Sequence, residues 1–393
     1  MPEMTLVQTL IIAAIQAVMV IVFVFVLVPL TIFAERKVLG FLQQRLGSTR
    51  IAGRLVGVTG LMNRGMWWMG KIPIVHYFRG IPGLAGDIMK LLFKEDIMPS
   101  KADKIVYLIA PGISMVAAMM VYSVISFYPG TLFTIPEAIP IPFVGDLTIP
   151  IIGGLPIAGA MGDVNVGLLM LLGIASVGVY GIVLGAWASN SKYPLLGGLR
   201  SAAQMVSYEV PLTLSLLVPV ILAGSLNFGE MTKTAALGLS PLAVPSLVFG
   251  FFVYMVCGFA EVNRLPFDMP EAENELVAGF HTEYSGMRFG LFYLAEYINM
   301  SVVAAVASAF FFGGPWLLPF GLQSFIPENW FWIGQPHWYF FVGKMFFFLF
   351  VFIWVRGSWP RYRYDQIMAV AWKYLIPLTL INLVVAGFVR YFT

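Results

Sequence analysis

The sequence predicts an all-α integral membrane protein: about eight transmembrane helices, with a short amphipathic helix in the first inner loop. Three observations carry this. Only 11% of the 393 residues are charged and 59% are hydrophobic, where a soluble domain carries roughly 25% charged residues. So few charges cannot cover a water-facing surface, so lipid surrounds most of the chain. The apolar runs are long enough to cross a bilayer and do not alternate, and lipid forces backbone polar groups to pair internally, so helices are favoured over a barrel.

The spans fall near residues 5–33, 105–128, 165–188, 205–226, 241–260, 289–313, 338–356 and 366–389. The first is too long for a signal-peptide core and lacks a small-residue cleavage site after it, so it reads as a span. Pro29, Pro111, Pro211, Pro219, Pro245 and Pro377 lie inside or beside spans. Neighbouring helices can satisfy the carbonyls they free, so these prolines kink helices without ending them.

Loop charge sets the expected orientation. The loop 34–104 holds twelve Lys and Arg, and the loop 129–164 holds none. Lys192 and Arg200 follow in the third loop, and Arg361 and Arg363 in the seventh. Odd loops are therefore expected on the inner side and both termini outside, in a cell membrane or another energy-transducing inner membrane. The fifth loop, 261–288, is acidic although it lies on the inner side, so its charge needs a reason other than topology. Residues 51–84, rich in Gly, Met and Trp, read as an insertion with interfacial character. No internal repeat marks an inverted-repeat transporter. The whole chain reads as a single membrane domain.

One cysteine, Cys257, excludes a disulfide framework and a Cys-ligated cluster within the chain. His76, His281 and His337 are far apart in sequence, and no bound metal is expected.

Four stretches carry chemistry. The first, from Ala260 to Tyr284, sets Glu261, Asp268, Glu271, Glu273, Glu275 and Glu283 beside a single Arg264. Crowded carboxylates at a membrane face raise one another's pKa, as proton-coupled sites require. A solvated acidic loop is the plain alternative. Against it, the acids alternate with Leu265, Phe267 and Met269, and Pro266 and Pro270 stiffen the backbone. The second is Glu209, at the head of or within the fourth span. An ionisable group there costs roughly 2.5 kcal/mol or more, so it usually faces the bundle interior, unless it reaches water at the interface. The third is Glu35, Arg36 and Lys37, a charged knot after the first span. It reads either as residues snorkelling to headgroups or as a polar mouth for an amphipathic ligand. The fourth, Gly86 to Lys104, begins as an amphipathic helix whose Lys90, Lys94 and Lys101 suit anionic lipid or a partner subunit.

These stretches, as AERKVLGFLQQRLG, MKLLFKEDIMPSKADK, WASNSKYPLLGGLRSAAQMVSYEVPL, AEVNRLPFDMPEAENELVAGFHTEYSGMRFG and WVRGSWPRYRYDQIM, resemble the quinone-chamber membrane subunit of respiratory complex I, the one called 1 or H. The runs cover roughly a third of the chain, in collinear order. The resemblance implies a subunit of proton-translocating NADH:quinone oxidoreductase, not catalytic alone, which lines the quinone tunnel and couples quinone reduction to proton movement. It implies that Glu35, Arg36, Lys37, Arg264, Phe267 and Asp268 border the quinone chamber. It further implies that Glu209, Glu261, Glu271, Glu273, Glu275 and Glu283 belong to the proton path. The chain itself would bind no cofactor. Quinone is the substrate, and iron–sulfur clusters with FMN or another electron-input group lie in partner subunits. Expected partners are the hydrophilic subunits carrying the terminal cluster, small membrane-arm subunits and lipids, with no nucleic acid. Two alternatives stand beside it: the equivalent subunit of a ferredoxin- or F420-dependent complex, and an independent proton-coupled transporter. The family usually follows its first motif with Gly-Pro, where this chain has Gly47-Ser48-Thr49-Arg50. Inner loops 34–104 and 261–288 would form the chamber wall, but no role carries over to residues 51–84.

Overall fold

The computed structural model describes residues 6–45, 47, 81–128, 131–134, 138–141, 145–148, 156–158, 164–269, 278–327, 330 and 334–392. Eight of the described helices are long and apolar enough to cross a membrane. In chain order the helices are α1 (Leu6–Leu42), α2 (Ile81–Phe93), α3 (Lys104–Val121), α4 (Gly167–Ala188), α5 (Lys192–Ala223), α6 (Phe228–Lys233), α7 (Val244–Glu261), α8 (Gly286–Phe310), α9 (Trp338–Ser358) and α10 (Tyr364–Phe392). α10 loosens into a π-helical turn at Val370–Leu375, just before Pro377. Helices α2 and α6 are the short ones.

Local chemistry sets several boundaries. Asp103 caps α3, accepting from the amides of Ile105 (3.2 Å) and Val106 (3.5 Å). Asn227 caps α6 through the Glu230 amide at 3.1 Å. Gly224, at φ +72°, closes α5 in the left-handed conformation that favours glycine. Pro29, Pro111, Pro211 and Pro219 lie inside continuous helices, as a membrane bundle allows.

The bundle is centred on α8. Its most apolar stretch is 61% buried, against 22% for those of α1 and α10. An unbroken run from Met300 to Phe310 is buried, much of it alanine and valine, as expected of a helix surrounded by others. The outer helices turn Leu10, Val18, Phe347, Ile381 and Phe388 outward, where lipid is their natural solvent.

Helix approach rests on small residues, since lipid provides no hydrophobic drive between helices. A Cβ on Gly181 of α4 would stand 2.9 Å from the Ala110 carbonyl of α3. One on Gly258 of α7 would stand 2.5 Å from Val303 of α8.

Three expectations are corrected in detail. The first helix does not stop near residue 33 but runs to Leu42, carrying Glu35, Arg36 and Lys37 on a helix rather than a loop. The fourth spanning helix begins at Lys192, well before residue 205, so Glu209 lies inside it and not at its head. The connection after α3 contains two antiparallel ladders: β1 (Thr131–Thr134) with β4 (Pro156–Ala158), and β2 (Ala138–Ile141) with β3 (Gly145–Thr148).

Candidate functional site where the first, fifth, sixth and seventh long helices meet

Glu35, on the inner part of α1, is buried although it follows a lipid-length apolar run. Its carboxylate accepts a hydrogen bond from Tyr297 of α8 at 2.7 Å. Arg264, just beyond α7, lies 3.6 Å away, and Arg356 near the end of α9 pairs with the same carboxylate. Four separate parts of the chain thus meet at one anion. A lone buried carboxylate would be strongly disfavoured, and these cations and the hydroxyl offset the cost of burying it.

Arg264 is itself 4% exposed. It pairs with Glu296 of α8 at 2.6 Å. Its guanidinium also lies over the Tyr297 ring at 4.3 Å and near Tyr293 at 6.0 Å, and the two tyrosine hydroxyls are 2.9 Å apart. Burial works against the charge on Arg264, but Glu296, Tyr297 and Glu35 outweigh it and push its pKa above the ordinary arginine value. The planar guanidinium suits this place, since it can bridge two carboxylates and stack on an aromatic face at once.

The segment around Arg264 is fastened by two other parts of the chain, α5 and the connection before α10. Gln204 of α5 donates to the carbonyls of Ala260 and Phe267, both at 2.7 Å. Asn263, in a left-handed conformation at φ +54°, donates to Ser201 at 3.2 Å. The Phe267 ring packs on Tyr208 at 5.5 Å and Tyr362 at 5.9 Å. Arg361 grips Asp268 at its carbonyl and stands 3.8 Å from its carboxylate. Arg264, Phe267 and Asp268 are therefore on a rigid ledge rather than a loose loop.

Arg36 and Lys37 do not join the buried cluster. Arg36 pairs with Asp87 of α2 at 2.6 Å in an exposed position, and the Lys37 ammonium lies 5.8 Å from the Phe33 ring. α2 begins at Ile81, inside the stretch read as an insertion, and shows Ile88, Met89, Leu92 and Phe93 on its open face.

A cavity of about 40 Å³ lies beside this cluster, with polar groups among a largely apolar lining. Glu261, His281, Tyr293, Glu296, Asn299 and Ser114 are among its lining. A water needs roughly 10–15 Å³ of such space and several polar partners, so the cavity suits a few waters. Glu209 is one helical turn beyond Met205, which also lines the cavity. The hydroxyl of Ser176 on α4 is shared between the Leu172 carbonyl, at 3.0 Å, and the Glu209 carboxylate. Glu261 and Glu209 are on helices that pack directly together. Glu283 is half-buried, and its carbonyl accepts from Tyr107 at 2.7 Å. Glu271, Glu273 and Glu275 lie outside the described residues.

Glu296, Arg356 and the Tyr293–Tyr297 pair escape the sequence reading. The available signal was an acid at Glu296 inside an apolar span, of the kind that singles out Glu209, with tyrosines three before it and one after it.

The arrangement joins a paired cluster at the ends of the helices to a water-sized cavity and then to a carboxylate within a membrane-length helix. Such a series of carboxylates, hydroxyls and water sites can pass protons and respond to charge placed beside it.

Comparison with known proteins matches residues 15–387 to the family described as NADH dehydrogenase. An H subunit (H 2) of NADH-quinone oxidoreductase from Koribacter versatilis is 42% identical to this chain, covering 96% of each. The H subunit of the Paraburkholderia xenovorans NADH-quinone oxidoreductase is 40% identical, over 96% of this chain and 91% of its own. NADH-quinone oxidoreductase subunit 8 of Rhodothermus marinus is 39% identical, over 90% and 89%.

Proposed function

Because the chain belongs to the NADH dehydrogenase family, we propose that it is the multi-pass membrane subunit of a proton-translocating NADH:quinone oxidoreductase, walling the quinone tunnel and linking quinone reduction to proton movement. The observation that carries this reading is near-end-to-end similarity to the H and 8 subunits of NADH-quinone oxidoreductases. The chain is not catalytic by itself. Electrons reach quinone from an iron–sulfur cluster in a hydrophilic partner, fed through FMN or another input group in further subunits. Small membrane-arm subunits flank the bundle within the cell membrane or another energy-transducing inner membrane. Both termini face its outer side, since the Lys- and Arg-rich loops define the inner one.

In this reading the ledge bearing Arg264, Phe267 and Asp268 borders the chamber, with Glu35, Arg36 and Lys37 on the α1 side. Glu261, Glu209 and Glu283, together with Glu271, Glu273 and Glu275, make up the proton path. Reducing quinone takes two electrons and two protons, so it changes charge in a poorly solvated chamber. That change alters the ionisation of carboxylates coupled to it through Arg264 and the cavity. Glu209 is the carboxylate through which the change reaches the membrane interior.

Glu209→Gln, which keeps the shape but cannot ionise, is expected to lower NADH:quinone reductase turnover and proton pumping by at least ~10-fold in vesicles carrying the assembled complex, since positioned proton-transfer groups contribute typically 10²–10⁴-fold. Undiminished turnover and pumping would remove Glu209 from the path. Mass spectrometry of the intact complex tests the assembly itself: finding ferredoxin- or F420-reacting subunits in place of NADH-reacting ones would replace the electron donor assigned here.

A further inference from the structure

His281 is a half-buried side chain that the path described above leaves unused. It ends a short 3₁₀ turn, Gly279–His281, within the stretch from Ala260 to Tyr284. Two phenylalanines hold the ring edge-on: Phe280 with centroids 4.9 Å apart, and Phe289 of α8 at 5.2 Å. Among the described residues, no hydrogen bond to a side chain or carbonyl fixes either ring nitrogen. The ring lines the same cavity as Glu261 of α7 and Tyr293, Glu296 and Asn299 of α8. Asp268 acts on it from the ledge, close enough for its charge to favour the imidazolium. The ring thus borders the cavity together with two carboxylates, and the charge of a third, near Arg361, reaches it.

We propose that His281 relays protons between the ledge, at Asp268, and the cavity carboxylates Glu296 and Glu261. This rests on the reading of the chain as the proton-linked quinone subunit. An imidazole is suited to the step because its two nitrogens are distinct sites. One nitrogen takes a proton from the Asp268 side as the other gives its proton to cavity water. One proton enters and one leaves, so no charge stays on the ring and no electron moves. The ring is left in its other tautomer and resets by rotating or by exchanging its proton with cavity water. Burial holds the imidazole down at about 4, against the opposing charge of Asp268, so the ring is neutral at rest and passes protons without storing them. Among the described residues, Glu261, Glu296 and Tyr293 line the cavity with it, and Asp268 acts on it through its charge.

The test uses the assembled complex in membrane vesicles. His281→Asn keeps a polar side chain that cannot take up a proton, and His281→Gly opens space where the ring stood. Both are expected to lower turnover and pumping by at least ~10-fold, within the range for lost proton transfer. Added imidazole is expected to restore His281→Gly, while thiazole, a ring of the same shape and much weaker basicity, is not. A relay requires this dependence on basicity, whereas a merely space-filling ring is restored equally by both. Full activity of His281→Asn, equal rescue by both rings, or no rescue by imidazole would overturn the relay. If the wild-type complex showed no quinone reductase activity, the parent reading would fall instead, so the two failures are distinguishable.

Discussion

Arg264 and Glu35 stand 3.6 Å apart with their side chains 5% and 8% exposed, so an arginine beyond the seventh helix and a glutamate on the first are locked together out of contact with solvent. The pair is not isolated. Glu296 holds the other side of Arg264, and Arg356 and Tyr297 hold the other side of Glu35. The cluster therefore ties α1, α8, α9 and the segment after α7 together, beside the proposed quinone chamber.

Arg264→Met leaves Glu296 without its cation and Glu35 with Arg356 alone. Breaking a buried pair by removing one partner costs roughly 3–5 kcal/mol, so the assembled complex is expected to be largely lost. Tyr297→Phe removes the hydrogen bond to Glu35, a charged group, which costs roughly 1.5–3 kcal/mol, and with it the bond to Tyr293, and should leave an assembled but less heat-stable complex. Native gels for assembly and thermal inactivation of quinone reductase check the order. Arg264→Met assembling as well as Tyr297→Phe would show that the cluster does not bear on the fold.

How much of this was readable beforehand divides along physical lines. Lipid imposes a length and an apolarity on every crossing, so the spans could be read from the sequence. The inner ends could not. Glu35 looks like the end of a helix because a charge in an apolar run normally marks the interface. Here Arg264 and Arg356, remote in sequence, neutralise it and the helix continues to Leu42. Glu209 was legible as an acid within an apolar stretch, yet Glu296 carried the same signal and was absorbed into its span. The acid cluster of the fifth loop was visible as composition. Its fastening by Gln204, Tyr208 and Arg361 was not, because each comes from a different part of the chain than the loop itself.

Gly197 of α5 supports the turn that carries His281. A Cβ there would lie 2.8 Å from the backbone of Gly279 and from the Phe280 amide nitrogen. Those atoms are main chain and cannot swing aside, so Gly197→Ala must push the turn away from α5. Overpacking of this kind costs typically 1–3 kcal/mol. The expected outcome is an assembled complex with slowed quinone reduction and pumping, seen in vesicle assays. Gly387→Ala is the comparison, since nothing lies within 4 Å of its Cβ, and it should behave as wild type. Equal activity of the two variants would show that the turn tolerates displacement.

The low pKa of His281 also fixes the sign of an acid effect on stability. Burial is the cause, opposed by Asp268, and it brings the imidazole from an ordinary 6.5 to about 4. As pH falls below 6.5 the unfolded chain takes up a proton that the folded chain refuses until about 4. The unfolded state binds more protons in that window, so stability falls as pH drops through it and levels off beneath. One pKa unit corresponds to 1.36 kcal/mol, which puts the whole loss at about 3–4 kcal/mol. Other groups titrate as well, so the informative quantity is the difference between wild type and His281→Asn, which shares all of them. Thermal unfolding of the purified complex at pH 7.5 and at pH 5 should show the wild type losing more stability than His281→Asn. Parallel curves for wild type and His281→Asn would mean that the imidazole is solvated and titrates normally.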